Sequence, residues 1–498
     1  MRSAALCSGD LPIAGCVDRL RGRRRYSLLG AVCAAFLTAT ASAEIRVERT
    51  VEVGSNVPDG SGYIVSILEF ANPGVTNFSD VDVQLVLTSP DGSNPMWLGD
   101  LYSTLTYGTA SEAERVSVLV NRPGVDNTNA FGSSLSSLSA WLDDAASTNV
   151  FFITNSTGSY RADGRLGVNP YSYPHPAFST NDVTAGLSVL NGTPLVSQQW
   201  NLLVADTASS GQARLDRWRL AVTGGAATNG ILDAGAGGRI TGLGTSNALG
   251  AVVQVLGSET NPTTVTVTNG VLDLQAGLQG TGHLAKTGAG TVAISGASSG
   301  FTGSVAVQEG TTRLAATGGG ALQSSTAVSV SSGATLLIST SNQVNDTAAI
   351  TLSGGTIVRG AGVGEVFGNL NLTADSEVDF GNGAAGTLRF GTYEAGATPS
   401  HRLTIDSFLA GNILIFGSDL SAEIAASYAG TSFTSSWFTI NSASGGFTSA
   451  WNGSQFTITA IPEPTAWVSA AALMAAGLWR RAVVRLYFCN PGLTFLFD

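Results

Sequence analysis

Lysine is almost missing from this 498-residue chain, where Lys286 is the only one. Charged residues of every kind make up 12% of it. Cysteine is confined to the ends, at Cys7, Cys16, Cys33 and Cys489. Residues 44–460 can therefore form neither a disulfide nor a thiolate metal site. The three histidines, His175, His283 and His401, fall in no metalloprotease motif. None has the context of a triad base, which must be held between a nucleophile and a carboxylate. His175, flanked by prolines in "YSYPHPAF", reads as a loop residue. Positive charge is scarce too. Nine of the 24 basic residues and four of the 35 acidic ones lie outside residues 44–460, which leaves the body at about −16. Such a balance argues against nucleic acid as a partner, because that needs a basic footprint. It suits a solvated exported surface, or one that collects divalent cations.

What is present is glycine, 62 residues of it, with Ser, Thr, Ala and Val throughout. The chain is still 43% hydrophobic, too much for a disordered polymer. Short β-branched runs between glycine turns predict an all-β protein. The length allows two or three domains.

Both ends carry segments of a different kind. In "RLRGRRRYSLLGAVCAAFLTATASA", a basic cluster precedes an apolar run and then Ala41-Ser42-Ala43. This reads as a signal peptide over residues 1–43, cleaved between Ala43 and Glu44. The cluster is far from Met1, so translation is expected to start downstream. Near the other end, Pro462-Glu463-Pro464 precedes 15 residues without a charge, 465–479. The prolines force any helix to begin after them. Arg480, Arg481 and Arg485 follow, as positive-inside topology requires. On length alone a short buried helix is an equal reading, since a membrane span normally takes about 20 residues. The order of these three parts resembles the PEP-CTERM sorting signal of bacterial exported proteins, here over residues 461–485. The resemblance implies an exosortase-like sorting enzyme as partner, a transient membrane helix, and delivery to the cell surface or an exopolysaccharide matrix. The family usually ends soon after the arginines. This chain continues through residues 486–498, a departure that bears on sorting efficiency.

Residues 44–224 alternate apolar and polar positions in "YIVSILEF" and "DVDVQLVLTS". "QWNLLVADTASSGQARLDRWRLAVTG" reads as a strand, a turn and a return strand, with Trp218 out of step with Leu215, as a bulge would leave it. "SNVPDG", "GDLYSTL", "LVNRPG", "NAFGSS", "ADGR" and that closing pair together resemble the proprotein-convertase P domain. The resemblance implies a jelly-roll β-sandwich, here without the protease that it accompanies elsewhere. Asp91, Asp100 and Asp206 could give calcium hard oxygen ligands. Turn chemistry is the preferred reading, because Asp91-Gly92 is an ordinary turn pair.

Residues 225–460 repeat strand, glycine turn and strand at intervals of about 20–25 residues, the range of solenoids. A parallel β-helix is expected, with a β-sandwich array as the competing arrangement. Residues 280–314 resemble the autotransporter-associated β-strand repeat, with Gly282, Lys286, Gly288, Gly303 and Gly310 among the matching positions. Lys286 is then a structural or solvent-facing repeat residue. Asp375, Glu377 and Asp379 alternate and share one strand face, which reads as an outward acidic ladder before calcium binding or catalysis. The stretch from Ser435 to Ala460 reads as strands closing the solenoid end.

These readings converge on an exported structural or adhesive protein of the cell surface or extracellular matrix, not an enzyme, with no cofactor other than calcium. The alternatives are a secreted carbohydrate-active β-helix enzyme, which needs paired carboxylates, and a calcium-dependent glycan-binding protein.

Overall fold

A computed structural model describes residues 44–462, except 61, 71–73, 91–95, 109–113, 173, 193, 195–198, 210, 395–400 and 443–444. The expected signal peptide, Glu463 and Pro464, the helix over 465–479 and the following arginines lie outside the described residues. The described chain is all-β, and its larger part is a β-solenoid of about 11 turns.

The first region is built from two facing antiparallel sheets. One orders Leu138–Leu142, Val75–Thr88, Arg214–Ala226 and Glu44–Asn56. The other orders Gly62–Glu69, Gln199–Asp206, Leu101–Tyr107 and Arg115–Asn121. Phe78 meets Tyr107 and Trp200 across the gap, at ring-centroid distances of 5.8 and 6.0 Å. The Trp218 indole N–H donates across it to Ser66 Oγ at 2.9 Å, which satisfies the one polar atom of a fully buried ring.

The closing pair is a correction. Gln199–Asp206 and Arg214–Ala226 do not pair with each other but lie in opposite sheets. The burial explains it. Arg214–Ala226 is a central strand, with Glu44–Asn56 on one side and Val75–Thr88 on the other, and its Leu215, Trp218, Leu220 and Val222 are fully buried. The bulge is real. Both neighbours pair with Leu215 and Arg217 and skip Asp216, which puts Leu215 and Trp218 on one face.

The solenoid stacks parallel strands in coil order. Ser246–Leu249, Val271–Leu274, Thr291–Ile294, Thr311–Leu314 and Thr335–Ile338 form one continuous ladder. Its inward row is Leu249, Leu274, Ile294, Leu314 and Ile338, all fully buried. Burying each such side chain contributes roughly 1.5–3 kcal/mol. A second face carries Ile240, Val265, Lys286, Val307 and Val330 in register. The lone lysine thus occupies an inward position and is 1% exposed. It is structural and not solvent-facing. Its ammonium donates to the carbonyls of Gly288, Gly290 (2.6 Å) and Glu309 (2.7 Å), one acceptor for each proton. Gly310 is glycine for two reasons. Its φ is +60°, and a Cβ there would lie 2.6 Å from the Lys286 nitrogen. At Gly303 a Cβ would lie 1.8 Å from the carbonyl oxygen of Gly282, on the coil beneath.

Antiparallel strands cover one face of the solenoid at its first end and two faces at its far end. Glu44–Asn56 pairs with Arg239–Leu243 of the first coil through Glu44↔Leu243 to Glu48↔Arg239. At the far end Phe456–Ala460 pairs with Ile413–Phe416, and Ser432–Thr434 with Phe438–Asn441, as the closing-strand reading expects. The boundary expected at 224/225 falls inside the strand Arg214–Ala226, so one sheet continues from the first region into the solenoid.

Replacing Lys286 tests the interior assignment. Burial pushes its pKa down to about 8, against the pull of Glu309, so it stays protonated at neutral pH. Lys286→Met keeps the volume but strands the Gly288 and Glu309 carbonyls. Urea denaturation at pH 7 is expected to show a loss of about 2–4 kcal/mol. Unchanged stability would mean that the amine is hydrated.

Candidate functional site

The sequence singled out Asp100 and Asp206, and the fold brings them together. Asp100 ends the short 3-10 turn Leu98–Asp100, and Leu101 immediately after it pairs with Asp206. The amide and hydroxyl of Thr207 both donate to the Asp100 carbonyl, at 2.8 and 2.7 Å. Asp100 has a counterion, the Arg122 guanidinium at 3.6 Å. Asp206 has none. It is 1% exposed, and neither carboxyl oxygen has a hydrogen-bond partner. Burial, then the charges of Asp100 and Asp59, push its pKa up to about 7. The amides of Ala208 and Ala213 oppose that shift without reaching hydrogen-bond geometry. Asp91 lies outside the described residues. Two carboxylates fall short of the six to eight oxygens that calcium takes. No group of three or more His, Cys, Asp or Glu side chains is placed to hold a metal among the described residues.

The acidic row Asp375, Glu377 and Asp379 is split. Glu377 and Asp379 face outward on Ser376–Asp379, as expected, while Asp375 precedes the strand and its Oδ1 accepts from the Arg402 amide at 2.8 Å. The next coil sets Asp406 beside Asp379. Burial, followed by Asp406 and Asp379, holds the Glu377 carboxyl above its usual range. No reading of sequence spacing brings Asp406 into this row, because only the coil register does.

Two further features escaped the sequence reading. Asp163 and Arg165 form a fully buried two-pronged ion pair, with Nε to Oδ1 at 2.8 Å and Nη2 to Oδ2 at 2.9 Å. The guanidinium also lies over the Phe151 and Phe178 rings, at 4.5 and 5.0 Å. His175 is indeed in a loop, but it is 2% exposed and neither ring nitrogen has a partner. Burial, then the charges of Arg165 and Arg122, lower its pKa and keep it neutral. An Asp-x-Arg in so charge-poor a chain was the available signal.

The second feature is a cleft of about 760 Å³ beside that ion pair. Phe152 and Phe178 form one wall, edge to face at 5.0 Å and 65°. Asp144, Arg161, Thr148, Thr184 and Ser188 belong to the polar lining. Buried Asn149 pins the floor. Its amide donates to the Ala162 and Asp163 carbonyls, and its oxygen accepts from the Phe151 amide at 2.9 Å. Its residues come from separate loops, so no local motif announced it.

The Asp206 assignment carries a pH signature. Its folded pKa lies above the unfolded value, so its stabilising contribution is complete below about pH 4 and is lost as the pH rises through 7. Asp206→Asn is expected to melt higher than the parent at pH 8 in a chelator, with the gap closing toward pH 5. A lower melting temperature at pH 8 would contradict the assignment. Comparison of the chain with protein-family models, with curated proteins and with solved structures gives no match.

Proposed function

We propose that this chain is an exported structural and adhesive protein, displayed at a cell surface or in an extracellular matrix. The observation that carries the reading is the uninterrupted sheet from the first region into a solenoid that carries antiparallel strands at both ends. Such a body is a spacer. It holds the first region at a fixed distance, and antiparallel strands cover part of the edge at each end. The acidic, lysine-poor composition suits a solvated exterior.

The sequence supplies the route. Residues 1–43 would direct export. Pro462-Glu463-Pro464, the apolar stretch 465–479 and Arg480-Arg481 would hold the precursor in the membrane until an exosortase-like enzyme removes the tail. The two facing sheets fit the jelly-roll of the P-domain resemblance. In this reading no step is enzymatic, and the outward row of Glu377, Asp379 and Asp406 is surface chemistry. Calcium at Asp100 and Asp206 is a second reading, favoured by the unpartnered Asp206 carboxyl. It requires that calcium raise the melting temperature of the parent but not of Asp206→Asn.

Mass spectrometry of both termini, on protein from the surface and medium fractions of its native producer, tests the display reading. The expected mature chain begins at Glu44 and ends at or near Pro464. An intact tail retained in the membrane would refute sorting.

A further inference from the structure

From the cleft beside the buried ion pair we infer a binding site for a neutral saccharide. The inference rests on the adhesive part of the proposed function and names the ligand class. Phe152 is 55% exposed in a chain that buries most of its large apolar side chains. With Phe178 it lines the cleft, and its exposure leaves part of an aromatic surface open to a ligand. A pyranose has a matching apolar face of C–H groups, and rings of this kind retain their polar periphery when stacked.

The polar part of the lining matches that periphery. Asp144 accepts from the Leu187 amide through Oδ1 at 3.2 Å, which leaves its second oxygen free. Arg161 donates one N–H to the Ser147 carbonyl at 3.4 Å, which leaves the others free. The two charges make no ion pair with each other. A free carboxylate oxygen and free guanidinium donors suit the paired acceptor and donor character of vicinal hydroxyls. The hydroxyls of Thr148, Thr184 and Ser188 make no hydrogen bond among the described residues and add further donors and acceptors.

The site is also built in advance. Arg165 lies beneath Phe178 and is locked by Asp163, while Asn149 fixes the loop that carries Phe152. Ligand binding therefore orders little, and less of the contact energy is lost to entropy. The volume is within the range of small-ligand sites, roughly 300–1,000 Å³. Net charge selects among saccharides. A body at about −16 repels a polyanion at long range, so the site is assigned to neutral sugars and not to uronates.

Saturation-transfer NMR on the full chain with cellotetraose, laminaritetraose, xylotetraose and tetragalacturonate tests this. At least one neutral probe is expected to bind, and Phe152→Ala to weaken it about tenfold, the order of one stacked ring. Phe152 is half in solvent, so that variant should keep the parent melting temperature. Asp144→Asn is expected to weaken binding as well. No neutral probe bound at millimolar concentration, binding untouched by Phe152→Ala, or preference for tetragalacturonate would each overturn the assignment. A chain processed at Pro464 that binds no saccharide would remove this site and leave the display reading standing.

Discussion

One strand holds this architecture together. Glu44–Asn56 lies between the central strand Arg214–Ala226 and the first-coil strand Arg239–Leu243, antiparallel to both. A parallel solenoid always ends in a row of unpaired amides and carbonyls, and each of those groups must find a partner or face water. Here that row is consumed on one face of the first coil, Arg239–Leu243, by a strand from the region before it. That strand buries Ile45 and Val47 completely, so the seal is apolar as well as hydrogen-bonded. Because the same strand belongs to both parts, the first region is not a bead on a tether. Its orientation on the solenoid is set by backbone hydrogen bonds.

The solenoid interior is largely apolar, and its three buried charged side chains find polar partners. Lys286 meets three carbonyls. Arg359, 1% exposed at the position that continues the row from Ile338, donates to the Gly360, Phe380 and Ala384 carbonyls and to Asn412 Oδ1. Glu365 accepts the amides of Gln343 and Val344, at 2.8 and 3.0 Å. Each charged group is thus tied to the backbone of a coil corner and not to an opposite charge. Dry backbone partners fix geometry at a cost in desolvation, which here holds the corners where the β-branched rows alone would leave them free to slide.

Much of this was legible in advance because the signals were periodic. The row of Leu274, Ile294 and Leu314 repeats in sequence as it does in space, and the glycines at 288 and 310 mark corners with positive φ. The bulge at Asp216 could be read from the phase of Leu215 and Trp218. What could not be read was anything that depends on which strands become neighbours. The closing pair looked like a hairpin because it is contiguous, but Arg214–Ala226 is paired along both edges, by Glu44–Asn56 and Val75–Thr88, which leaves no edge for Gln199–Asp206. Lys286 was ambiguous because charge argued for the surface and only the register places it inside. Asp100 and Asp206 were named together, yet the counterion that serves one and not the other comes from Arg122. The aromatic cleft has no local pattern, since Phe152 and Phe178 meet only after the loops fold over Asp163 and Arg165.

The central claim is that the shared strand makes the first region and the solenoid one cooperative unit. Native-state hydrogen exchange, followed by mass spectrometry across a denaturant series, reads this most directly. Peptides covering Glu44–Asn56, Arg214–Ala226 and Arg239–Leu243 should open together, with one free energy and one denaturant dependence. If the solenoid peptide opened at low denaturant while Arg214–Ala226 stayed protected, the strand would be a contact between independent parts and the account would fail.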